Sequence, residues 1–400
     1  MSKHAFVLFH YQNLLKKYGL IAHAAPISSE LSDFLGETDQ SIEKLPFIYQ
    51  RLFKIASLKD RDFFEGHENE ILNLGNAYNN WQKGRYAPTF IVGEKGSGKS
   101  TLINLFLADL ERTYTNQRFN CTTKIYDIPS FLSFFKEIFN HNGFESAEDI
   151  INHIQDSRIK QLIIIEDIHH LFIKKVNGFI CLKMLFEIIS KTNHQIFWLL
   201  SATRYSWSYL NKTLDIEDYF GYIINVQELE DEQIIELILK RHRVSGYNLF
   251  FQPSQLAKAS KQYRKLPDHE KQPYLKNYYF TSLNKFAKDN ISLALLFWLR
   301  SAKDVKDDTI YIGDLDNLDF TFLSSLSQEK IFVLYALILH DGLTISQLSD
   351  IQNKSYDQCK LIIILLWDDG IISMRDSFYI VNPLLYRHVI SLLKSKNLLT

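Results

Sequence analysis

The chain has 400 residues, of which 46% are hydrophobic and 23% charged, and its formal net charge is -1. This length allows two or three domains with a sizeable core, and the apolar content excludes a disordered chain. The balanced charge excludes a global basic field for binding nucleic acids or membranes, although local patches remain compatible with it.

The cysteines and the apolar segments indicate a cellular compartment. Cys121, Cys181 and Cys359 lie far apart and show neither disulfide nor metal-ligand spacing, which is typical of core thiols in a reducing environment. The N-terminal stretch lacks a signal-peptide pattern, and the longest apolar run, Leu361 to Trp367, is too short to span a bilayer. We therefore expect a cytoplasmic protein without a membrane partner.

Residues 1–60 are predicted to form a helical N-terminal extension, and residues 61–228 an α/β core. In the core, apolar strands alternate with helices. The predicted strands are TFIV, TKIYDI, QLIIIED, QIFWLLS and GYIINVQEL. Because strands separated by helices usually pair in parallel, this alternation predicts a three-layer fold, with a parallel sheet covered by helices on both faces.

The strand signal stops near Asp231, and residues 229–312 are predicted to form an all-helical unit. The stretch KDVKDDTIYIGDLDNLD, residues 303–319, is acidic and is interpreted as a linker. Residues 325–400 are predicted to form three helices, a two-stranded hairpin and a last helix.

A phosphate-binding loop is predicted between the first core strand and the helix after it. Gly93, Gly98, Lys99 and Ser100 fit the pattern G-x-x-x-x-G-K-[ST] without a gap. The glycines allow backbone N–H groups to point at phosphate oxygens, Lys99 would reach the β- and γ-phosphates, and the Ser100 hydroxyl would bind Mg²⁺. The predicted ATP-binding residues are Gly93, Glu94, Lys95, Gly96, Ser97, Gly98, Lys99, Ser100 and Thr101. The alternative is a glycine-rich turn without a ligand.

Two acidic residues end the strand QLIIIED. Glu166 would help to hold Mg²⁺ and Asp167 would activate the attacking water, which is the reverse of the common order of aspartate followed by glutamate. The pair therefore predicts nucleotide binding more firmly than hydrolysis, and the alternative is two acids that simply end a strand. His169 and His170 follow, and we interpret them as structural because a histidine pair on a turn after a strand usually is; the alternative is that one of them acts as a sensor or contacts a partner. A metal site is not expected there, because no cysteine or carboxylate cluster shows ligand spacing.

Polar residues also follow the strand QIFWLLS. Ser201 or Thr203 would contact the γ-phosphate or the attacking water, and Arg204 would act on a phosphate, in this chain or in a neighbouring subunit. A surface or ion-paired arginine is the alternative for Arg204.

These motifs together resemble AAA+ P-loop ATPases, namely the origin-recognition and initiator-like group, transposon regulators and the signal-transduction NTPases of bacterial defence. The stretches that carry the resemblance are FFEGHENEILNL, GEKGSGKST, IIIEDIH, LLSATR and VQELEDEQIIELILKRH. It implies that residues 229–312 form a lid and that Gly66 and His67 help to hold the adenine. Asn290 matches the lid signature, whereas Ser292 stands where the family has a phosphate-sensing arginine.

The last unit, residues 325–400, resembles a winged helix, a fold that commonly binds DNA. Its acidic and basic residues balance, so protein–protein docking is favoured over DNA contact. A basic, aromatic stretch between Lys258 and Tyr279 would suit a phosphate backbone, or would be a solvated helix face with core tyrosines.

Three hypotheses follow. The first is an ATPase that uses ATP and Mg²⁺ as a conformational or assembly switch in a multi-protein complex, in DNA transactions or antiphage defence. The second is a nucleotide-gated scaffold or sensor that docks a partner protein and hydrolyses ATP weakly. The third is a DNA-binding initiator or transposition regulator.

Overall fold

The computed structural model describes residues 42–53, 66–110, 114–288, 290–315 and 320–399. Most of the predicted N-terminal extension, residues 1–41 and 54–60, lies outside them. The part that is described contains helix α1, Phe47–Leu52. Its buried Tyr49 accepts a hydrogen bond from the Trp298 indole at 2.8 Å, so α1 packs against the unit of residues 229–312.

A five-stranded sheet forms the centre of the core, in the order β2-β3-β4-β1-β5, and its neighbouring strands are parallel. The strands are β1 Thr89–Gly93, β2 Thr115–Asn120, β3 Gln161–Glu166, β4 Ile196–Thr203 and β5 Tyr222–Asn225. The predicted α/β fold is confirmed. The predicted strand TKIYDI, residues 123–128, is wrong, because the strand lies earlier, at β2. As an edge strand, β2 is mostly exposed and polar and lacks an apolar pattern.

Helices cover both faces of the sheet. They are α2 Glu68–Gln82, α3 Lys99–Asp109, α4 Ile128–Phe139, α5 Ala147–Ser157, α6 Ile180–Thr192 and α7 Arg204–Leu214. Alternate residues of each central strand enter different core clusters, because successive side chains point to opposite faces. Ile91 packs with Leu102 and Phe106 on the α2 and α3 side, whereas Phe90 packs with the apolar residues of α4 to α7.

The second unit contains α8 Asp231–Ser245, β6 Asn248–Phe251, α9 Gln255–Ala259, α10 Lys261–Lys265, α11 Asp268–Ala287, α12 Ile291–Ser301, β7 Ala302–Lys306 and β8 Thr309–Ile312. The strands form a sheet in the order β6-β8-β7. The prediction of an all-helical unit is therefore wrong, and so is the linker at 303–319. Among the described residues of that stretch, Ile310, Ile312 and Leu315 join the buried core, too few to outweigh its acidic residues in a sequence pattern.

The C-terminal unit has the predicted elements: α13 Gln328–His340, α14 Ile345–Gln352, α15 Tyr356–Asp368, the antiparallel pair β9 Ile372–Arg375 and β10 Phe378–Val381, and α16 Tyr386–Ser395. Its core is continuous with that of the second unit, and Leu339 of α13 also joins the core beneath the sheet. The unit is thus packed against the α/β core. Within the described ranges, every helix is too short or too polar to cross a membrane.

Candidate nucleotide site

The loop between β1 and α3 has the shape of an anion cradle. Gly96 and Gly98 have φ values of +79° and +94°, in the left-handed region that favours glycine. Gly98 is the N-cap of α3, so the positive end of that helix faces the loop. A Cβ atom on Gly96 would lie 2.7 Å from the side chain of Ser292, so the loop has no room for a larger residue there.

Lys99, which directly follows Gly98, is held in place at the start of α3. Lys99 is buried, and its Nζ donates to the carbonyl oxygens of Gly93 at 3.1 Å and Glu94 at 3.0 Å. Burial lowers the pKa of Lys99, while the nearby carboxylates of Asp167, Asp341 and Glu166 act in the opposite direction. Thr101, in the same first turn of α3, is also buried.

The Ser100 hydroxyl donates to Glu166 Oε2 at 2.6 Å, which joins the helix start to the end of β3. Arg118, on β2, pairs with the other oxygen of the same carboxylate, with Nε 2.5 Å from Oε1. A hydroxyl and a carboxylate side by side are the hard oxygen ligands that Mg²⁺ prefers. The pair and the glycine cradle thus fit a magnesium–nucleotide complex.

Asp167 lies at the same edge of the sheet in the left-handed conformation, with φ +57°. Its backbone N–H donates to the buried Ser201 hydroxyl at 3.3 Å, so the predicted residues on β3 and β4 are neighbours. The Thr203 hydroxyl accepts from Ser206 N at 3.3 Å and caps α7. Both hydroxyls are therefore buried and already accept a backbone N–H.

Of the remaining predicted residues, Arg204 is ion-paired. Its Nη1 lies 3.3 Å from Glu228 Oε1. This contact matches the alternative of an ion-paired arginine.

Gly66 and His67 lie beside the loop at the start of α2. His67 is the N-cap of that helix and is buried, and its Nε2 is 3.9 Å from the Cβ position of Gly98.

The second unit contacts the loop through the start of α12. Asn290 accepts from Leu293 N at 3.0 Å as the cap of α12, and its Nδ2 donates to Lys95 O at 2.7 Å. The Ser292 hydroxyl donates to Gly96 O at 3.3 Å. The residue at the place of the family's arginine thus holds the loop backbone.

The C-terminal unit also reaches the loop, through two ion pairs. Asp341, which follows α13, accepts from Lys95 Nζ at 2.5 Å. Arg387, on α16, pairs with the buried Glu94, and Glu94 also accepts from the Tyr205 hydroxyl at 2.7 Å. Burial alone would raise the pKa of Asp341, but Lys95 and His169 more than offset it and hold this pKa well below its usual range.

Lys124 adds another cation beside this contact. Its Nζ donates to His340 O, just before Asp341. Burial lowers the pKa of Lys124 to about 7, although Asp341 and Asp167 act against that shift. Asp341 is therefore a negative charge close to three lysines, namely Lys95, Lys99 and Lys124.

Comparison with known proteins supports the α/β assignment. Residues 83–210 match the family model described as AAA domain. This part of the chain is similar to AAA domains. The matched range contains the phosphate loop, Glu166, Asp167, Ser201, Thr203 and Arg204. No curated protein sequence is significantly similar to the chain.

Three of the solved structures that are similar to the chain cover most of its length. ORC1 of Aeropyrum pernix, in complex with DNA, has 11% identity and a TM-score of 0.47, over 86% of this chain and 98% of the other. ORC2 of Aeropyrum pernix has 14% identity and a TM-score of 0.46, over 87% and 98%. Cdc6p of Pyrobaculum aerophilum has 15% identity and a TM-score of 0.42, over 87% and 98%. These scores lie below 0.5, so the family match and the loop geometry alone carry the assignment.

Sequence reasoning missed the residues that come to the loop from elsewhere. Arg118 lies on an edge strand without an apolar pattern, and Asp341 and Arg387 lie 246 and 293 residues from their partners in the loop. No local motif connects such positions. The sequence signal for Asp341 is weak: an aspartate before a glycine at the end of a predicted helix.

Proposed function

We propose that the chain is a nucleotide-dependent conformational switch that binds ATP with Mg²⁺ at residues 93–101. The observation that supports this most is the ion pair between Lys95 and Asp341, because it joins the phosphate loop to the C-terminal unit. The phosphates of ATP and the Asp341 carboxylate are anions that need the same cations. Nucleotide binding is therefore expected to compete with docking of the C-terminal unit.

The chain's own residues would divide the work of binding. Lys99 would exchange its contacts with the loop carbonyls for phosphate oxygens, and Ser100 and Glu166 would hold Mg²⁺. When bound, Mg²⁺ neutralises phosphate charge and polarises the phosphoryl group. Gly66 and His67 would lie against the adenine side of the site.

Hydrolysis is proposed to be slow. The Asp167 carboxylate would orient the attacking water and take its proton, with Ser201 beside it. Its side chain is shorter than that of the glutamate usual at this position, and Glu166 is held by both Arg118 and Ser100. Slow hydrolysis would keep the protein in the ATP-bound state for a long time. Such a long-lived state suits a switch or scaffold within a multi-protein complex, including a complex of several copies of the chain.

A DNA-binding role has weaker support. Lys258, Lys261, Arg264 and Lys265 are exposed on α9 and α10 and would suit a phosphate backbone. The tyrosines of the same stretch are less suited to base stacking. Tyr279 is buried in the core, and Tyr263 and Tyr274 pack on each other, with ring centroids 5.9 Å apart.

Titration calorimetry with ATP and Mg²⁺ tests the binding site. Lys99→Ala removes the cation that reaches the phosphates, and we expect it to weaken ATP binding by roughly 10- to 100-fold, since a hydrogen bond to a charged group contributes about 1.5–3 kcal/mol. Lys83→Ala is the matched control, because Lys83 is an exposed lysine at the end of α2 and should leave affinity unchanged. A wild-type protein without measurable affinity for ATP would refute the proposal.

Single-turnover hydrolysis of ATP separates an enzyme from a scaffold. We expect slow phosphate release that falls at least about 100-fold in Asp167→Asn, because general-base catalysis contributes about that much or more. Glu217→Gln, which changes an exposed acid on the same domain, should keep the wild-type rate. The same residual rate in wild type and Asp167→Asn would show that Asp167 is not the base and would favour the weakly hydrolysing scaffold.

A further inference from the structure

A buried group of metal-ligating side chains lies where the α/β core meets the C-terminal unit. His169 and His170 come from the turn after β3, and Asp341 comes from the end of α13. One ligand atom from each of the three lies within 4.8 Å of the other two. The sequence does not suggest such a site, because Asp341 is brought to the histidines only by the packing of the two units.

We propose that His169, His170 and Asp341 bind a divalent transition-metal ion, with Zn²⁺ as the expected species, and that this ion joins the C-terminal unit to the core. Two imidazoles and one carboxylate suit Zn²⁺ and its neighbours in the first transition series, rather than Mg²⁺. The site is formed by other residues than the Ser100–Glu166 pair and does not depend on the proposed ATP binding.

The hydrogen bonding of the histidines supports this assignment. The side chain of His169 is fully buried, yet neither of its ring nitrogens has a hydrogen-bond partner among the described residues, and His170 Nδ1 lacks one as well. A buried polar atom without a partner costs about 1–3 kcal/mol, and one bound ion would satisfy one of the two His169 nitrogens together with His170 Nδ1.

The distances also suit an ion. His169 Nε2 lies 3.9 Å from Asp341 Oδ2, and His169 Nδ1 lies 4.0 Å from Asp167 Oδ1. Both separations are too long for a hydrogen bond. Two ligands of a tetrahedral Zn²⁺ ion, each about 2.0–2.2 Å from it, lie roughly 3.3–3.6 Å apart, so side-chain shifts of about 1 Å would bring the three ligand atoms, now within 4.8 Å of one another, into coordination.

The charges around the site are compatible with a cation. Lys95 contacts the other oxygen of Asp341, Oδ1, so Oδ2 remains free to bind a metal while that ion pair persists.

Titration of the metal-free wild-type chain with Co²⁺, in the absence of nucleotide, tests the site. We expect visible absorption bands that saturate at one ion per chain and disappear when Zn²⁺ is added. The X-ray absorption spectrum of the Zn²⁺ form should show two imidazole ligands, which needs no variant. No saturating band, or a spectrum with oxygen ligands only, would overturn the proposal.

Variants locate the ion. His170→Gln leaves the Lys95–Asp341 pair in place, and we expect it to weaken Zn²⁺ binding by at least about 100-fold, since even changes behind the ligands cost 10- to 100-fold. His141→Gln is the matched control, because His141 and His153 form another adjacent pair, with ring centroids 4.7 Å apart. Unchanged binding in a folded His170→Gln protein, or loss of binding in His141→Gln, would assign the ion to another place and overturn the proposal.

Discussion

Glu94 has contacts that a phosphate loop does not require. It is buried, and it accepts hydrogen bonds from Tyr205 on α7 and from Arg387 on α16. A buried carboxylate is tolerated only when it is paired, and removing one partner of such a pair costs about 3–5 kcal/mol. Glu94 therefore ties the loop to α7 of the α/β core and to α16 of the C-terminal unit.

His388, next to Arg387, should make stability depend on pH. Its ring packs on Phe320, with centroids 4.0 Å apart, and burial, with help from Lys288, lowers the pKa of His388 from 6.5 to about 4. As pH falls from 6.5 to 4, the unfolded chain gains a proton that the folded chain does not take up. The free energy of unfolding therefore falls across this window, by at most about 3 kcal/mol from this group.

The measurement is chemical denaturation at pH 7 and pH 5 of wild type and His388→Phe. Phenylalanine keeps the aromatic contact with Phe320 but cannot titrate, so the loss of stability at pH 5 should be smaller in the variant. His269→Gln removes an exposed histidine and should behave as wild type. An identical pH dependence in His388→Phe and wild type would contradict the prediction.

At the scale of elements, the start of α12 acts on the loop as well as on its own helix. Asn290 caps α12 and also donates to Lys95 O, so Asn290→Ala removes two contacts with one change. We expect a loss of about 1 kcal/mol in the free energy of unfolding from the missing cap. We also expect roughly fivefold weaker ATP binding, because the loop backbone loses a hydrogen bond of about 1 kcal/mol.

Ser327→Ala is the matched control for that prediction. Ser327 caps α13 in the same way, accepting from Lys330 N, but it does not contact the phosphate loop. Both variants should therefore lower the melting temperature, and only Asn290→Ala should change ATP affinity in calorimetry. Equal ATP affinities in the two variants would show that Asn290 acts on helix stability alone.

The elements also show why sequence reasoning succeeds in some places and fails in others. The loop at residues 93–101 was predictable because its residues are contiguous and lie between a buried strand and a helix. The strands β2, β6, β7 and β8 were missed or misplaced. Few side chains of β2, β6 and β7 are buried, and β8 is a four-residue strand within an acidic stretch, so charge and polarity dominate the local pattern. Asp341 and Arg387 could not be assigned to the site, because only tertiary packing brings them to the loop.

At the scale of the whole molecule, three units meet at a single loop. The α/β core supplies the loop, α12 holds its backbone, and the C-terminal unit pairs with Lys95 and Glu94. Any anion that takes Lys95 from Asp341 weakens one of the two ion pairs between the C-terminal unit and the loop. Nucleotide affinity and the position of the C-terminal unit should therefore be linked reciprocally.

Asp341→Asn tests that linkage without straining the backbone. Asp341 has φ +51°, a conformation that asparagine tolerates well, so the substitution removes the charge without straining the backbone. The comparison uses metal-free protein, because Asp341 is also a proposed metal ligand. Because the competing carboxylate is gone, ATP should bind more tightly, by about tenfold if docking of the C-terminal unit loses roughly 1.4 kcal/mol. A fluorescent pair on the core and on α15 should show a longer distance in Asp341→Asn, and also in wild type when MgATP is added.

Glu329→Gln provides the comparison for Asp341→Asn, since it breaks the ion pair with Lys354 inside the C-terminal unit and leaves the loop untouched. That variant should match wild type in both ATP affinity and distance. If Asp341→Asn also matches wild type in both, the Lys95–Asp341 pair does not couple the nucleotide to the C-terminal unit. If the distance increases without a change in ATP affinity, Asp341 holds the unit in place but does not compete with phosphate, because competition requires both quantities to change together.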